Sequence, residues 1–237
     1  MRGQDERIEA HGPGGLRFLD GTTLKLIALV SMVIDHVGDI FFPSLMWMRA
    51  IGRIAMPVFS FCVAEGYIHT RDRQSYLLRM GVFALISEIP FDLAHSGRLD
   101  LSQQNIMFTF FLALCSLMLF DYLTERYEGV QGLVMGIVAV AVIAVGSIFL
   151  AVDYNFSAIG LVFIFYLLRD QDAFIRDGSG AAFLVLVRNV GIYRWSILGI
   201  LPIALYNGKK GRGLKLLFYV FYPAHLLALF FIKLLVG

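Results

Sequence analysis

Long apolar stretches separated by short polar turns occupy most of the chain after residue 18. Most of them approach the roughly 20 residues that a helix needs to cross a bilayer core about 30 Å thick. Backbone that faces lipid must satisfy its own hydrogen bonds, so each stretch is predicted to be a helix. The predicted spans are residues 23–42, 50–69, 75–93, 104–122, 130–151, 156–169, 181–191, 194–207 and 214–236. Because 156–169 and 181–191 are short, the pattern predicts an all-α, polytopic transmembrane bundle of about eight or nine spans.

Composition supports a membrane location. Of 237 residues, 58% are hydrophobic and 16% are charged, whereas about 25% are charged in ordinary soluble domains. The mean hydropathy is +0.74. A soluble domain of this length cannot bury so many apolar side chains, which excludes a soluble enzyme, a disordered chain and a nucleic-acid-binding module. The net charge of +2 likewise indicates no nucleic acid partner. Cys62 and Cys115 lie inside apolar stretches and are predicted to be packing residues.

Basic residues predict the orientation of the bundle, because cytoplasmic loops carry an excess of Lys and Arg. Placing residues 71–79 and 209–212 in the cytoplasm puts the N-terminus inside. Residues 1–18 are then predicted to be a mobile cytoplasmic tail, and residues 19–237 a single transmembrane helical domain. The predicted location is the bacterial plasma (inner) membrane, as a multi-pass protein in contact with the lipid bilayer.

A small-residue motif lies in the fifth predicted span, where Gly132 and Gly136 are four residues apart. Small residues at this spacing let two helix backbones approach closely. The motif predicts a tight contact with a neighbouring helix, and its alternative use is a homodimer face.

Ionisable side chains interrupt the predicted spans. The four most deeply placed are Asp35, Arg53, Glu65 and Glu88. An ionised residue at the centre of a span costs about 2.5–3.5 kcal/mol, so four of them cost roughly 10–14 kcal/mol. That is comparable with the net stability of a whole domain. We therefore expect these side chains to face the bundle interior, to pair or to lose their charge, and to line a site. For any one of them, an interhelical ion pair is the structural alternative.

The polar residues fall into two groups under the predicted orientation. The outer group is Asp35, His36, Glu88, Asp92, Asn105 and Asp153, and the inner group is Glu65, His69, Arg71 and Arg73. Such an acidic, histidine-bearing end and a basic end indicate a cavity that crosses the membrane. Adjacent helical residues point about 100° apart, so Asp35 is not expected to orient His36, whereas Asp39 can reach it. His95 is expected to be exposed to solvent.

Several kinds of chemistry compete for these residues. A metal site would need a second histidine from another helix, and no HxxxH or HExxH pattern occurs, so no metal is predicted. Proton-coupled secondary transport would use Asp35, Glu65 and Glu88 as relay groups. Acyl transfer would use His36 as a general base toward an acceptor amine or hydroxyl. Composition alone favours transport, and a noncatalytic assembly factor is a further class.

The order of several short motifs resembles the TraX family, typified by a membrane protein that acetylates the N-terminus of F-type conjugative pilin. The motifs are LDG (19–21) with Lys25, MVIDHVG (32–38), RAIGRIAMPVF (49–59), AEGY (64–67), HTR (69–71), SEIPFD (87–92), QNIMFT (104–109), DY (153–154), YNG (206–208) and FYPAH (221–225). They cover most of residues 19–112 and the last third of the chain. The sequence departs from the family at Asn155, where a small residue often follows Asp-Tyr, so the acceptor pocket is expected to differ.

The resemblance implies an acetyl-CoA-dependent transmembrane acetyltransferase. Such an enzyme moves the acetyl group from cytoplasmic acetyl-CoA to an amine or hydroxyl acceptor at the outer side, such as a protein N-terminus. His36 occupies the family's Asp-His motif and is the expected general base, because imidazole titrates near neutral pH. The other expected catalytic residues are Asp35, Glu88, Asn105 and Arg53, the last two as donors to the oxyanion. Acetyl-CoA binding is expected of Arg71, Arg73, Glu65, His69, Lys209, Lys210 and Arg212. Acceptor binding is expected of Asp92, Asp153, Tyr154 and His225, and His225 has a second acid or base as its alternative role.

Overall fold

The computed structural model describes residues 17–100, 102–213 and 215–236, and the predicted tail 1–18 lies almost wholly outside them. Within the described residues the regular structure is helical, which confirms the all-α prediction. The helices are α1 (Gly21–Phe41), α2 (Met46–Gly52), α3 (Ala55–His69), α4 (Arg73–Ser96), α5 (Ile106–Arg126), α6 (Gly129–Phe149), α7 (Asn155–Leu167), α8 (Ala173–Arg188), α9 (Ile200–Ala204) and α10 (Lys215–Val236). A 3₁₀ segment, Gly191–Gly199, precedes α9.

Four helical stretches of the described residues are long and apolar enough to cross a membrane. They are Met46–His69, Ile106–Arg126, Gly129–Phe149 and Leu216–Val236. Helices α1 and α4, of 21 and 24 residues, have comparable length but carry more ionisable side chains. These lengths and this composition identify a membrane protein.

The structure differs from the predicted spans in two regions. The predicted span 181–191 covers the second half of α8. The first half contains the polar sequence RDGSG (176–180), so hydrophobicity does not indicate where the helix begins. The predicted span 194–207 is mainly the 3₁₀ segment and the short helix α9. There a Cβ on Gly199 would lie 2.9 Å from the Ile54 carbonyl oxygen. Close contact with the start of α3 thus shapes this segment, and the hydrophobic pattern alone does not reveal it.

Helix α3 lies at the centre of the bundle, where it contacts α1, α5, α7, α9 and the 3₁₀ segment. Ten of its 15 residues are buried, around the whole helix, as expected of a helix enclosed by others. It continues α2 after a bend at Arg53 and Ile54. This bend sends the Arg53 side chain into the bundle interior, where it is 5% exposed.

Helix α6 lies at the edge of the bundle, and its GxxxG motif faces a helix of the same chain. Gly132 and Gly136 are both buried, and a Cβ on Gly136 would lie 2.7 Å from the Phe120 ring of α5. The outward face of α6 exposes Val134, Val138 and similar side chains. The motif therefore serves close packing of α5 against α6, and its use as a homodimer face stays a prediction.

Backbone hydrogen bonds join several helix ends at what we call the basic end of the bundle. Leu19 donates to the Leu205 carbonyl over 3.0 Å, and Gly21 donates to the Lys209 carbonyl over 2.8 Å. These bonds attach the start of α1 to the segment between α9 and α10. That segment carries Lys209, Lys210 and Arg212, so its charges lie beside the start of α1.

The opposite end, which we call the histidine end, carries His36 near the end of α1 and His95 near the end of α4. Here Gln104 donates to the Ala151 carbonyl and Asp153 donates to the Gln104 carbonyl, each over 3.0 Å. These bonds join the segment before α5 to the turn between α6 and α7. The two groups of polar residues therefore lie at different ends of one bundle, and the membrane side of each end stays a prediction.

Candidate active site

Two cavities enter the bundle from its two ends and share part of their walls. The larger, which we call the basic cavity, has a volume of about 410 Å³ and opens beside Gly21, Lys210 and Arg212. The smaller, the histidine cavity, has a volume of about 180 Å³, and its lining includes Asp39 and Asp153. Their shared lining residues are Met32, Phe59, Ile106 and Tyr222. Only these side chains of the described residues contribute to both cavities.

Three histidines from three helices meet at the histidine cavity. The His36 and His225 rings lie edge to edge in nearly parallel planes, with centroids 5.0 Å apart, and Nδ1 of His36 lies 2.8 Å from Nε2 of His225. The His95 ring meets the His36 ring edge-on, with centroids 5.5 Å apart. His36 and His95 line the cavity, whereas His225 lies behind His36. His95 was expected to be exposed to solvent, but its side chain is only 27% exposed, because it packs against the His36 and Phe91 rings.

Asp35 lies at the cavity wall in a buried ion pair and does not contact His36. Its carboxylate accepts a short hydrogen bond from Arg53, and Arg49 Nη1 lies 3.1 Å from the same oxygen, Oδ2. Arg49 also lies 3.3 Å from Asp39. The carboxylate packs directly against Gly52, where a Cβ would overlap it. The structure thus shows the interhelical pair that the sequence offered as an alternative for Arg53, with both partners still lining the cavity.

Aromatic rings and guanidinium groups lie close together beside the histidine cavity, where Tyr154 and Tyr193 are lining residues. Arg53 lies 5.4 Å from the Tyr154 ring centre and 5.6 Å from that of Tyr193. Arg188 lies 4.9 Å and 4.8 Å from the same two rings, and its guanidinium donates to Ser157 Oγ over 2.8 Å. Asp153, the neighbour of Tyr154, lines the cavity. Neither Arg188 nor Tyr193 was predicted to belong to the site, and the only sequence signal for either is the cation Arg188 at the end of an apolar span.

Glu88, Asn105 and Asp92 lie outside the set of residues that line either cavity. Asn105 caps α5: its side-chain oxygen accepts from Met107, and its amide donates to Glu88 and, over 2.9 Å, to the Ala84 carbonyl. Both amide hydrogens of Asn105 are therefore in use. Asp92 accepts a 2.9 Å hydrogen bond from the backbone of Asp100. These contacts hold the start of α5 against α4 behind the shared wall.

The basic cavity has a charged mouth and an apolar body. The basic and acidic side chains in its lining are Lys25, Glu65, His69, Arg79, Lys210 and Arg212. Glu65 accepts a 3.1 Å hydrogen bond from Tyr206, and His69 lies 3.8 Å from the Glu65 carboxylate. The aromatic side chains of Phe59, Phe61, Phe110 and Phe218 line the body. A long ligand with one anionic end matches this division.

The structure separates the residues that were expected to bind acetyl-CoA. Glu65, His69, Lys210 and Arg212 line the basic cavity, whereas Arg71, Arg73 and Lys209 do not. Arg73 instead forms a 2.6 Å ion pair with Asp121, which also accepts from Tyr67 and Tyr166. Lys25 and Arg79, which the sequence analysis did not assign to the ligand, lie at the mouth in their place.

Hydrogen bonds to the start of α1 hold the basic loop, residues 207–213, beside the cavity mouth. Thr22 Oγ1 donates to the Arg212 carbonyl over 2.8 Å. Asp20 caps α1 and accepts from the Thr23 amide over 2.7 Å and from the Thr23 hydroxyl. These two bonds lower the pKa of the Asp20 carboxyl. Gly211 has φ of +72° and lies so close to Asp20 that a Cβ would be 2.6 Å from the carboxylate. This glycine therefore lets the loop turn against the cap.

Comparisons with known proteins support the resemblance that the sequence motifs indicated. The chain is 27% identical over 231 residues to "Probable fimbrial assembly protein FimC, serogroup H1" of Dichelobacter nodosus, covering 86% of this chain and 91% of that protein. It is 54% identical over 44 residues to an uncharacterized protein of Rickettsia prowazekii (strain Madrid E), covering 19% of this chain and 17% of that protein. No solved structure matches the chain. The family model described as TraX protein matches residues 20–233. This range includes every residue that lines the two cavities, and the chain belongs to the TraX family.

Proposed function

We propose that the protein is a membrane acetyltransferase that binds acetyl-CoA in the basic cavity and its acceptor in the histidine cavity. The observation that carries this proposal is the shared wall of the two cavities. Reactants that enter from opposite ends meet there, next to His36. The multi-pass placement in the bacterial plasma membrane, with the basic end in the cytoplasm, belongs to the same proposal.

The basic cavity supports CoA as the donor. CoA carries phosphates at one end and its thioester at the other, joined by a long arm. The phosphates would meet Lys25, Arg79, Lys210 and Arg212, because Lys and Arg form strong charge-assisted hydrogen bonds with phosphate oxygens. The arm would cross the apolar body and place the thioester at the shared wall. His69 and Glu65 would border the arm near the mouth.

The histidine cavity supports an amine as the acceptor, with a hydroxyl as the second class. Asp39 and Asp153 in its lining would attract an ammonium group, which would lose one proton to water to become a neutral amine. His36 would take the second proton as the amine nitrogen attacks the thioester. Arg53, a cation in the cavity wall, would donate a hydrogen bond to the oxyanion. The Dichelobacter nodosus relative is named a fimbrial assembly protein, so we infer that a pilin-like protein N-terminus is the first acceptor to test.

The experiment compares wild-type protein and His36→Ala, purified in detergent, in two assays. Calorimetry measures binding of CoA and acetyl-CoA, and radiolabelled acetyl-CoA measures transfer to amine-bearing peptides. We expect His36→Ala to bind CoA as wild type does and to lose transfer by about 10²–10⁴-fold, the contribution of a general base. A folded protein that binds no CoA, and that instead takes up solute into proteoliposomes without CoA, would replace this proposal with secondary transport.

A further inference from the structure

The hydrogen bond between His36 and His225 belongs to a chain that begins at a backbone carbonyl. Nδ1 of His225 lies 2.9 Å from the carbonyl oxygen of Phe221, one turn earlier in α10. Nε2 of His225 lies 2.8 Å from Nδ1 of His36. His225 is 9% exposed and stacks on Phe221, with ring centroids 5.3 Å apart. Its ring is thus held between the carbonyl and His36.

The chemistry of the groups fixes the direction of this chain. A carbonyl oxygen only accepts, so Nδ1 of His225 carries a hydrogen and donates it. A neutral imidazole has one donor and one acceptor nitrogen, which makes Nε2 of His225 an acceptor. Nδ1 of His36 must then donate to it. The lone pair of His36 is left on Nε2, the nitrogen that His225 does not contact.

We propose that His225 is a positioning residue, which fixes the tautomer of His36 so that Nε2 is the basic nitrogen of the site. The proposal rests on the proposed acetyltransferase function. In many hydrolases a carboxylate holds the catalytic histidine in the required tautomer. Here His225, which donates to a main-chain carbonyl, holds His36 in the required tautomer instead of a carboxylate.

Three carboxylates near the site are engaged elsewhere. Asp35 is paired with Arg53 and Arg49. Asp39 lies 3.6 Å from His95 and 3.3 Å from Arg49. Glu88 accepts from Asn105 behind the shared wall. Among the residues that the structure describes, no carboxylate lies within 4.0 Å of a His36 nitrogen, since the ion pairs within that distance omit His36. His225 is left as its hydrogen-bonded orienter.

The hydrogen bonds from Phe221 through His225 to His36 are compatible with each step of acetyl transfer. The acceptor nitrogen attacks the acetyl carbonyl carbon, and its proton passes to Nε2 of His36. The carbon–sulfur bond of the thioester then breaks, and the leaving sulfur takes that proton from Nε2, which gives the amide, the free thiol of CoA and neutral His36. Nδ1 of His36 donates to His225 throughout, and this hydrogen bond becomes charge-assisted while His36 is an imidazolium.

Nitrogen-15 NMR of protein labelled in its histidines tests the tautomer directly, in detergent and without any substrate. Ring nitrogens with and without a hydrogen have well-separated chemical shifts, and single-histidine variants assign the signals. We expect Nδ1 to carry the hydrogen and Nε2 to carry none in both His36 and His225 above neutral pH. Hydrogen on Nε2 of His36 would overturn the proposal, whether or not the protein proves to be an acetyltransferase.

Two substitutions at His225 then test its effect on turnover. His225→Gln keeps an acceptor within reach of His36, whereas His225→Met keeps similar bulk and removes the acceptor. We expect His225→Met to lower kcat by about 10²-fold, at the lower end of a general base's contribution, with unchanged KM for acetyl-CoA. His225→Gln should restore most of that loss, and the His36 signals should show mixed tautomers in His225→Met only.

The outcomes separate the two proposals. Wild-type kcat in His225→Met, or equal losses in both variants, would overturn the role of His225 while the transferase assignment stands. Wild-type protein that transfers no acetyl group would overturn the proposed function, and the NMR result alone would then decide the tautomer.

Discussion

Gly52 lies where α2 meets α1, and its missing side chain lets the Asp35 carboxylate approach Arg53. A Cβ at this position would overlap the Asp35 side chain. We expect Gly52→Ala to push the carboxylate out of its ion pair and to destabilise the protein by about 1–3 kcal/mol, as overpacking of a well-packed core does. Thermal unfolding in detergent, followed by fluorescence or circular dichroism, measures this change.

Gly146→Ala is the matched control for this substitution. Gly146 lies in α6, which is long and apolar enough to cross a membrane, and a Cβ there would meet nothing within 4 Å. Since alanine has a higher helix propensity than glycine, by about 1 kcal/mol, this variant should unfold at the same or a higher temperature. Equal melting temperatures for Gly52→Ala and wild type would show that Asp35 does not need the space beside Gly52.

At the scale of elements, apolar stretches of span length are the ones that the sequence predicts well. Six helices begin and end within a few residues of predicted spans: α1, α3, α4, α5, α6 and α10. An apolar stretch in lipid must satisfy its own backbone hydrogen bonds, and a helix does so. The 3₁₀ segment and the bend at Arg53 were not predictable from hydrophobicity. Both depend on contacts between distant parts of the chain, such as that of Gly199 with Ile54.

The basic loop is the element that brings Lys210 and Arg212 to the mouth of the basic cavity. If CoA phosphates bind there, changing both residues to Gln should raise the Kd for CoA roughly tenfold, which corresponds to about 1.4 kcal/mol. The paired change Arg71→Gln with Lys209→Gln removes the same charge from the same end, outside the cavity. Calorimetry at two salt concentrations compares the two double variants. Equal losses would indicate a long-range effect of net charge, which salt screens, and no phosphate site at the loop.

At the scale of the whole molecule, the candidate site combines residues that lie far apart in the sequence. The Asp-His motif directed attention to His36, and the polar residues of the spans predicted a site with two ends. His225 was expected to bind the acceptor or to act as a second acid or base, not to contact His36, and His95 was expected at the surface. Their meeting with His36 depends on how α10 packs against both α1 and α4, and neither residue's local sequence encodes that packing.

The shared wall predicts that transfer across the molecule can be blocked without removing either binding site. Ile106 lies in this wall and lines both cavities, so Ile106→Trp should fill the junction between them. Misplacing reacting groups by about 1 Å costs roughly 10²-fold in rate, and we expect at least that loss of acetyl transfer, with binding of CoA retained. Ile137→Trp, on the exposed face of α6, adds the same bulk away from both cavities and should transfer acetyl groups as wild type does. If both tryptophan variants transfer at the wild-type rate, the acetyl group does not pass this wall, and donor and acceptor must meet elsewhere in the bundle.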